Sequence, residues 1–366
     1  MKRVLILSSF PAPYRVDVFK GLADVFDVDV FFATHKDQNR SADYFTKKDV
    51  FKYYVITNAE DKRYFDKCIN NIKKYDFVLA YDWYLGYALK VELKCILKKI
   101  PYVINCDGAF LPQESGIGAT VKKIIKSFFV KKASLCLASG KSAFEYFKYY
   151  GADDSKIAKH RFSSLHNEDI EIAPKTQGEK ADMRKKLGLE ERKTILSIGQ
   201  FIPRKGFDVL LNVWERFDKD FQLVLIGGGD GRQEYEAFIK ERAYKNIIII
   251  DFLPKDIIKN YYIAADLFVL PTREDVWGLV INEAMAVGLP VITTDMCNAG
   301  AELIEDGNNG YIVESENADE LRCAMDKILN LSEEEITELG RFSICTSEKY
   351  TIEGIIEDHI RELKKL

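Results

Sequence analysis

The chain has 366 residues, of which 47% are hydrophobic, 30% charged and 12% aromatic. That composition excludes a disordered, collagen-like or coiled-coil protein, and the length exceeds what a single core ordinarily serves, so two domains are expected. The formal net charge of −4 argues against a nucleic-acid partner, yet it conceals a split of +10 up to Leu165 and −14 beyond it.

The N-terminal MKRVLILSSFPAPYR has an apolar run too short for a signal-peptide core, and it reads as a first strand, Val4–Ser8. Further strands are expected at Val28–Ala33, Phe77–Tyr81, Tyr102–Asn105 and Leu135–Ser139. Amphipathic helices lie between several of them, at Arg15–Val25, Tyr87–Lys99 and Ala143–Tyr150. Such alternation belongs to a parallel α/β sheet. In the loop after the first strand, Pro11 and Pro13 remove two N–H donors, so Tyr14 and Arg15 are its ligand-contacting candidates.

Between Glu114 and Glu145 the chain has no acidic residue, while Lys122, Lys123, Lys126, Lys131, Lys132 and Lys141 cluster there. Ile124, Ile125, Phe128 and Phe129 share the same helical stretch. The segment Lys122–Lys132 fits a helix lying on an anionic membrane surface, and equally a lysine-flanked helix packed on its own sheet. The polar segment His166–Lys180, with Pro174 and Gly178, is expected to link domains 1–168 and 169–349.

The second half restarts the pattern. Strands are expected at Thr194–Ile198, Gln222–Ile226, Ile247–Asp251, Leu267–Leu270 and Val291–Thr293, with helices at Phe207–Phe217, Arg232–Ala243, Ile257–Ala265 and Leu279–Val287. A helical tail, about 350–366, is expected to pack back on the first domain. Seven scattered cysteines without a C-x-x-C pair read as reduced thiols of a cytoplasmic protein, and the four histidines have no metal-ligand spacing.

Candidate chemistry concentrates in this half. Arg204 and Lys205 stand in a strand-to-helix turn, where two cations complement a diphosphate. Gly227, Gly228, Gly229 and Gly231 form a turn that serves either a ligand or only the chain's own geometry. In LFVLPTREDVWGLVINEAMAVGLPVITTD (Leu267–Asp295), Gly278-Leu279-Val280 opens a helix whose free amides suit a phosphate. Asp275 and Glu283 lie eight apart, one in the turn and one in the helix, either as acceptors for sugar hydroxyls or as parts of a capped helix with Glu283 in solvent. Cys297–Val313 reads as a short helix and a hairpin-like end.

The succession IGxF…RKGFDVLL, LIGGG, DFLPKD, ADLFVLPTREDVWGLVINEAMAVGLPVI and ELIEDGNNGYIV resembles the donor half of the family 4 retaining glycosyltransferases. The bacterial cell-surface polysaccharide type is the nearest in kind. The resemblance implies the GT-B fold, two Rossmann-like doubly wound domains facing across a cleft. It implies transfer of a sugar from a UDP- or GDP-type donor to a saccharide or lipid-linked acceptor, with retention and without metal or cofactor. Lys205 matches the lysine on the donor diphosphate, Glu283 the ribose carboxylate and Asp275 the sugar-contacting carboxylate. Gly278, Leu279 and Val280 match the backbone at the sugar and phosphates, and Phe252 and Leu253 the segment beside the base.

Three positions depart from the family pattern. Asp275 replaces the usual Glu, Gln200 stands where an Arg is common, and Asp107 occupies the place of a histidine near the reacting centre. Arg204 is a candidate for the missing charge, and Asp107 is either a site residue or the cap of the next helix. These departures keep alive a non-catalytic binding protein of the same fold; a sugar-nucleotide epimerase is a weaker alternative. Asp27-Val28-Asp29 matches a metal-holding Asp-x-Asp only formally; it sits at the start of the expected strand Val28–Ala33 and is expected to be a turn there. The expected location is the cytoplasm or the inner face of the plasma membrane.

Overall fold

The computed structural model describes residues 1–35, 51–113 and 115–366. It divides into two units, Met1–Ser164 joined by Thr351–Leu366, and Leu165–Tyr350. The division falls ahead of the polar segment rather than within it.

Among the described residues of the first unit seven strands pair in parallel: β1 (Arg3–Ser8), β2 (Asp27–Phe32), β3 (Tyr54–Val55), β4 (Phe77–Ala80), β5 (Tyr102–Cys106), β6 (Leu135–Ser139) and β7 (Ile157–His160). Their order across the sheet is β3-β2-β1-β4-β5-β6-β7. The runs VLILS and FVLA are buried along their length, as strands covered on both faces must be. Strand order reverses between β1 and β4, where Val4 pairs with Val28 on one side and Phe77 on the other. In such sheets ligands gather at the carboxyl ends flanking the reversal, here Ser8 and Ala80.

The tail helix Ile352–Leu363 belongs to this unit through Asp358. Its Oδ2 accepts from the Arg161 backbone N–H at 3.0 Å and from Arg161 Nε at 2.8 Å, while Oδ1 accepts from Nη2 at 2.9 Å. Asp27-Val28-Asp29 is not a turn but the start of β2. The buried apolar run Val30–Phe32 that follows carries the strand through it. Asp29 accepts from Tyr64 at 2.8 Å and Tyr75 at 2.7 Å and pairs with Arg3, so its oxygens serve the fold.

The second unit has β8 (Thr194–Ile198), β9 (Gln222–Ile226), β10 (Ile247–Ile250), β11 (Leu267–Leu270), β12 (Val291–Thr294) and β13 (Gly310–Val313), in the order β10-β9-β8-β11-β12-β13. The hairpin-like reading of Cys297–Val313 is corrected here. Gly310–Val313 is a sixth parallel strand on β12. Its approach demands glycine, because a Cβ at Gly310 would lie 1.8 Å from the Val291 carbonyl oxygen.

The linker expectation also needs correction. Gln177–Lys186 is a helix whose Thr176 and Glu179 form a capping box, and it is anchored by buried charge. Fully buried Asp266 accepts from Gln177 Nε2 at 3.0 Å, Lys180 Nζ at 3.4 Å, Arg184 Nη1 at 3.1 Å and the Thr194 backbone N–H at 2.8 Å. Removing the Asp266 carboxylate from such a cluster costs about 3–5 kcal/mol, since it leaves two buried cations without their counter-charge.

One buried carboxyl lacks any such partner. Glu92, on the helix Gly86–Lys98, is fully buried, and neither side-chain oxygen has a hydrogen-bond partner among the described residues. Burial pushes its carboxyl well above the usual value of 4.5. The folded state therefore holds a proton that the unfolded chain releases, and stability falls as pH rises above the ordinary glutamate range. The slope is about 1.4 kcal/mol per pH unit up to the raised folded value. Glu92→Met is expected to be more stable than wild type at pH 8 and to lose this decline. Urea unfolding of both proteins at pH 5 and pH 8 measures it; equal pH dependence in the two would refute the assignment.

Candidate functional site

In the second unit β8 and β11 lie side by side at the reversal of strand order, and the loops leaving their carboxyl ends are tied together. The Arg204 carbonyl accepts from the Arg273 backbone N–H at 2.8 Å and from Thr272 Oγ1 at 3.0 Å. In return Arg204 Nη1 donates to the Glu274 carbonyl at 2.7 Å. The Arg273 guanidinium then spans Asp208, at 2.9 and 2.7 Å, and Glu316, at 2.8 Å. These bonds raise its pKa above an already high value and hold the Asp208 carboxyl below the usual range.

This lashing brings the two sequence candidates Lys205 and Asp275 into direct contact. Lys205 ends a single 3₁₀ turn, Pro203–Lys205, and its Nζ pairs with Asp275 Oδ2, both side chains being largely buried. Asp275 is held from two other directions: its backbone N–H donates to the Met296 carbonyl at 2.8 Å, and Oδ1 accepts from the Trp277 N–H at 3.4 Å. The shorter aspartate thus reaches the lysine, a contact that the eight-residue spacing does not reveal. Arg204 is spent on the Glu274 carbonyl at one nitrogen.

Gly278 precedes the helix Leu279–Ala286 with φ of 97°, and a Cβ there would fall 2.7 Å from Cys297 Sγ. Both constraints demand glycine. No side chain caps this helix, so no cap occupies the first-turn amides, Leu279 and Val280 among them. Glu283 stands one turn further on. Its Oε2 accepts from Tyr262 O–H at 2.9 Å, and burial pushes its carboxyl above the usual range.

Phe252 and Leu253 follow β10, and the Phe252 ring, 57% exposed, lies against Gly228, where a Cβ would sit 3.3 Å from it. The glycine turn itself is stitched to the chain after β8. The Gly228 carbonyl accepts from the Phe201 N–H at 2.8 Å, and the Gly231 N–H donates to the Phe201 carbonyl at 2.8 Å. That stitching gives these glycines a structural task and leaves Phe252 as the exposed surface beside them.

In the first unit Arg15 and Asp107, separate candidates in the sequence, form an ion pair. Arg15 Nη1 also donates to Ser8 Oγ at 2.9 Å and Asp82 Oδ2 at 3.2 Å, and its guanidinium lies 4.8 Å from the Tyr81 ring centroid. Asp107 Oδ1 accepts from Asn105 Nδ2 at 2.6 Å. Arg15 is therefore buried and bonded to internal partners. It holds Asp107 at the carboxyl end of β5. Tyr14 packs edge-on against Phe162 at 5.5 Å and lines the same small pocket with Tyr81, His160 and His359.

Sequence reasoning passed over those two histidines for want of metal-ligand spacing. Their rings meet edge-on at 4.6 Å, 199 residues apart in the chain, and burial lowers both pKa values. Tyr262, Arg273 and Asp82 were equally silent, because nothing in their local sequence marks them. Among the described residues no cluster of three or more His, Cys, Asp or Glu is arranged to hold a metal ion.

With this geometry in view, comparison with known proteins is specific. Residues 179–341 match the family model described as glycosyl transferases group 1. An uncharacterized glycosyltransferase of Haemophilus influenzae is 32% identical over 179 residues, 48% of this chain and 50% of that protein. The alpha-D-kanosaminyltransferase of Streptomyces kanamyceticus is 29% identical over 175 residues, covering 47% and 45%. The chain thus spans about half the length of these curated relatives. Among solved structures, Anabaena HepE in complex with UDP superposes over 100% of both chains with a TM-score of 0.80 at 17% identity. Over residues 179–341 the second unit matches the group 1 glycosyl transferases, and the chain carries the GT-B fold.

Proposed function

We propose that the chain is a retaining, metal-independent glycosyltransferase with no cofactor. It moves a hexose-type sugar from a UDP- or GDP-sugar to a hydroxyl of a saccharide or lipid-linked acceptor in cell-envelope polysaccharide synthesis. The observation that carries this reading is the assembly of Lys205, Asp275, Gly278 and Glu283 around the carboxyl ends of β8 and β11. Anabaena HepE has been solved with UDP and with UDP-glucose, which makes UDP-sugars the first donors to try.

In this reading the donor diphosphate lies against Arg204, Lys205 and the amides of Gly278, Leu279 and Val280. Glu283 accepts from the ribose hydroxyls, and Phe252 and Leu253 flank the base. The bond from the sugar's anomeric carbon to the diphosphate oxygen breaks, and a bond from that carbon to the acceptor oxygen forms on the same face. The acceptor proton passes to the departing phosphate oxygen. Negative charge grows on that phosphate as the bond opens, and fixed cations and amides stabilise it most when they need no rearrangement. Lys205 meets that condition because Asp275 holds it, and Asp275 also offers acceptor lone pairs to the sugar. Asp107, steadied by Arg15, and Tyr14 serve the acceptor.

The helix Ile117–Lys132 supports a membrane partner. Ile117, 87% exposed, heads an exposed apolar stripe with Val121, Ile124, Ile125 and Phe128, and Leu93 and Leu97 are exposed on the neighbouring helix. Lysines flank a stripe of this kind on helices that lie in an anionic lipid surface, at the inner face of the plasma membrane in this reading. Lys126 must be subtracted from the basic surface expected in the sequence. Its Nζ donates to the Tyr146 hydroxyl oxygen at 2.8 Å and lies 5.1–6.0 Å from the ring centroids of Trp83, Tyr84, Tyr146 and Tyr150.

Incubation with a panel of UDP- and GDP-sugars, followed by mass detection of released nucleotide, tests transfer. Turnover is expected with at least one donor, and tight binding without turnover would favour the non-catalytic alternative. Lys205→Ala is expected to lower kcat/KM about 100-fold or more, from a lost phosphate partner. Glu283→Ala is expected to weaken nucleotide binding while the circular dichroism stays unchanged; wild-type behaviour of both variants would sink the site. For the membrane, the protein is expected to co-sediment with phosphatidylglycerol vesicles but not phosphatidylcholine vesicles. A variant carrying Ile117→Ser, Ile124→Ser, Lys122→Glu and Lys123→Glu should stay in the supernatant, and unaltered sedimentation would count against this face.

A further inference from the structure

Glu283 does not meet its ligand alone. Tyr262, on the helix Lys255–Ala264, is 2% exposed, and its ring packs against Phe268 of β11 with centroids 5.6 Å apart. Its hydroxyl is 2.9 Å from Glu283 Oε2 and 3.3 Å from the Val280 carbonyl oxygen, so the shorter bond, to the carboxylate, takes the proton. Glu283 Oε1 has no protein partner among the described residues, and the residue keeps partial exposure. One carboxylate oxygen is therefore tethered and the other is open.

We propose that Tyr262 is a positioning residue for Glu283, holding Oε2 so that Oε1 is presented as the acceptor for a vicinal diol of the bound nucleotide. This rests on reading Glu283 as the ribose carboxylate. A diol donates best to an ionised carboxylate, whose lone pairs outnumber those left on the protonated acid. Several groups act on that ionisation. Burial raises the Glu283 value, the bond from Tyr262 lowers it, the positive charge of Lys255 lowers it, and the charge of Asp169 raises it. Lys255 and Asp169 are themselves paired at 2.9 Å, so their influences largely cancel. Among the described residues Tyr262 remains as the directly bonded group that favours the charged form. Its own pKa is driven well above the ordinary phenol value by burial and by Glu283, which keeps the hydroxyl a donor throughout the working pH range.

Tyr262→Phe removes only the hydroxyl and keeps the ring that packs on Phe268. Two measurements on the whole chain read its effect. The first is a carbon-13 titration of the Glu283 carboxyl in the unliganded protein, in which the midpoint is expected at higher pH in the variant. The second is calorimetric titration with UDP and with GDP between pH 8 and pH 5.5. Affinity is expected to fall as Glu283 protonates, and the fall should begin at higher pH in Tyr262→Phe. The deficit would then grow from about threefold at pH 8 to about tenfold near pH 6.

Glu283→Gln reports the pH dependence that belongs to the nucleotide's own phosphates. An unmoved Glu283 midpoint, or a deficit that is constant with pH, overturns the proposal. If the midpoint moves but Glu283→Gln binds both nucleotides as wild type does, the ribose reading falls and the Tyr262–Glu283 coupling stands.

Discussion

Asp266 is the fully buried carboxylate from which the second unit takes its order. Its side chain accepts from the Thr194 N–H at 2.8 Å, and its own N–H donates to the Thr194 carbonyl at 2.8 Å, so it clamps the amino ends of β8 and β11. Lys180 and Arg184 neutralise it from a helix that docks for that purpose. A charge in this position has one stable arrangement, because any other leaves it unmatched in a poor dielectric. Clamping one end of two short strands sets the register at the other end. There, Arg204 and Arg273 cross-tie the loops and bring Lys205 onto Asp275.

The two units solve a similar problem by similar means. Each places an aspartate beyond the carboxyl end of a strand near the sheet's reversal and steadies it with a cation from a neighbouring loop or helix, Lys205 on Asp275 and Arg15 on Asp107. The pairs differ in their surroundings. Arg15 is enclosed by Ser8, Asp82 and the Tyr81 ring on a helix that Pro13 opens without an N–H, whereas Lys205 and Asp275 adjoin the uncapped amides that open the helix Leu279–Ala286. An enclosed pair holds geometry, and a pair beside uncapped amides can also receive charge.

Most of the strands and helices were legible from apolar runs alternating with helical periodicity, since burial on both faces of a parallel sheet writes itself as runs such as VLILS and QLVLI. The misreadings have local causes. His166–Lys180 looked like a linker because its polar residues are those of a helix entrance and a buried ion cluster, not of solvent. The Thr176 to Glu179 capping box was the overlooked signal. Gly310–Val313 looked like a hairpin end because a four-residue strand bordered by Gly307 and Gly310 carries little apolar length. Asp29 looked like part of a turn because its partners, Tyr64, Tyr75 and Arg3, lie on other elements.

For the candidate site, residue type and spacing offered Lys205, Asp275, Gly278 and Glu283 as groups suited to a diphosphate and a diol, and the family resemblance gave each its expected role. The sequence by itself therefore determined the two-sheet α/β architecture and the chemical kinds gathered in the second unit. Only the tertiary structure decided which of those groups touch: Lys205 on Asp275, Arg15 on Asp107, Tyr262 on Glu283, and Lys126 withdrawn among aromatic rings. The reason is physical. Local pattern records whether a residue faces core or solvent, but a hydrogen bond or ion pair between residues 20 to 92 positions apart is set by how the elements pack, and packing leaves no periodic trace in the chain.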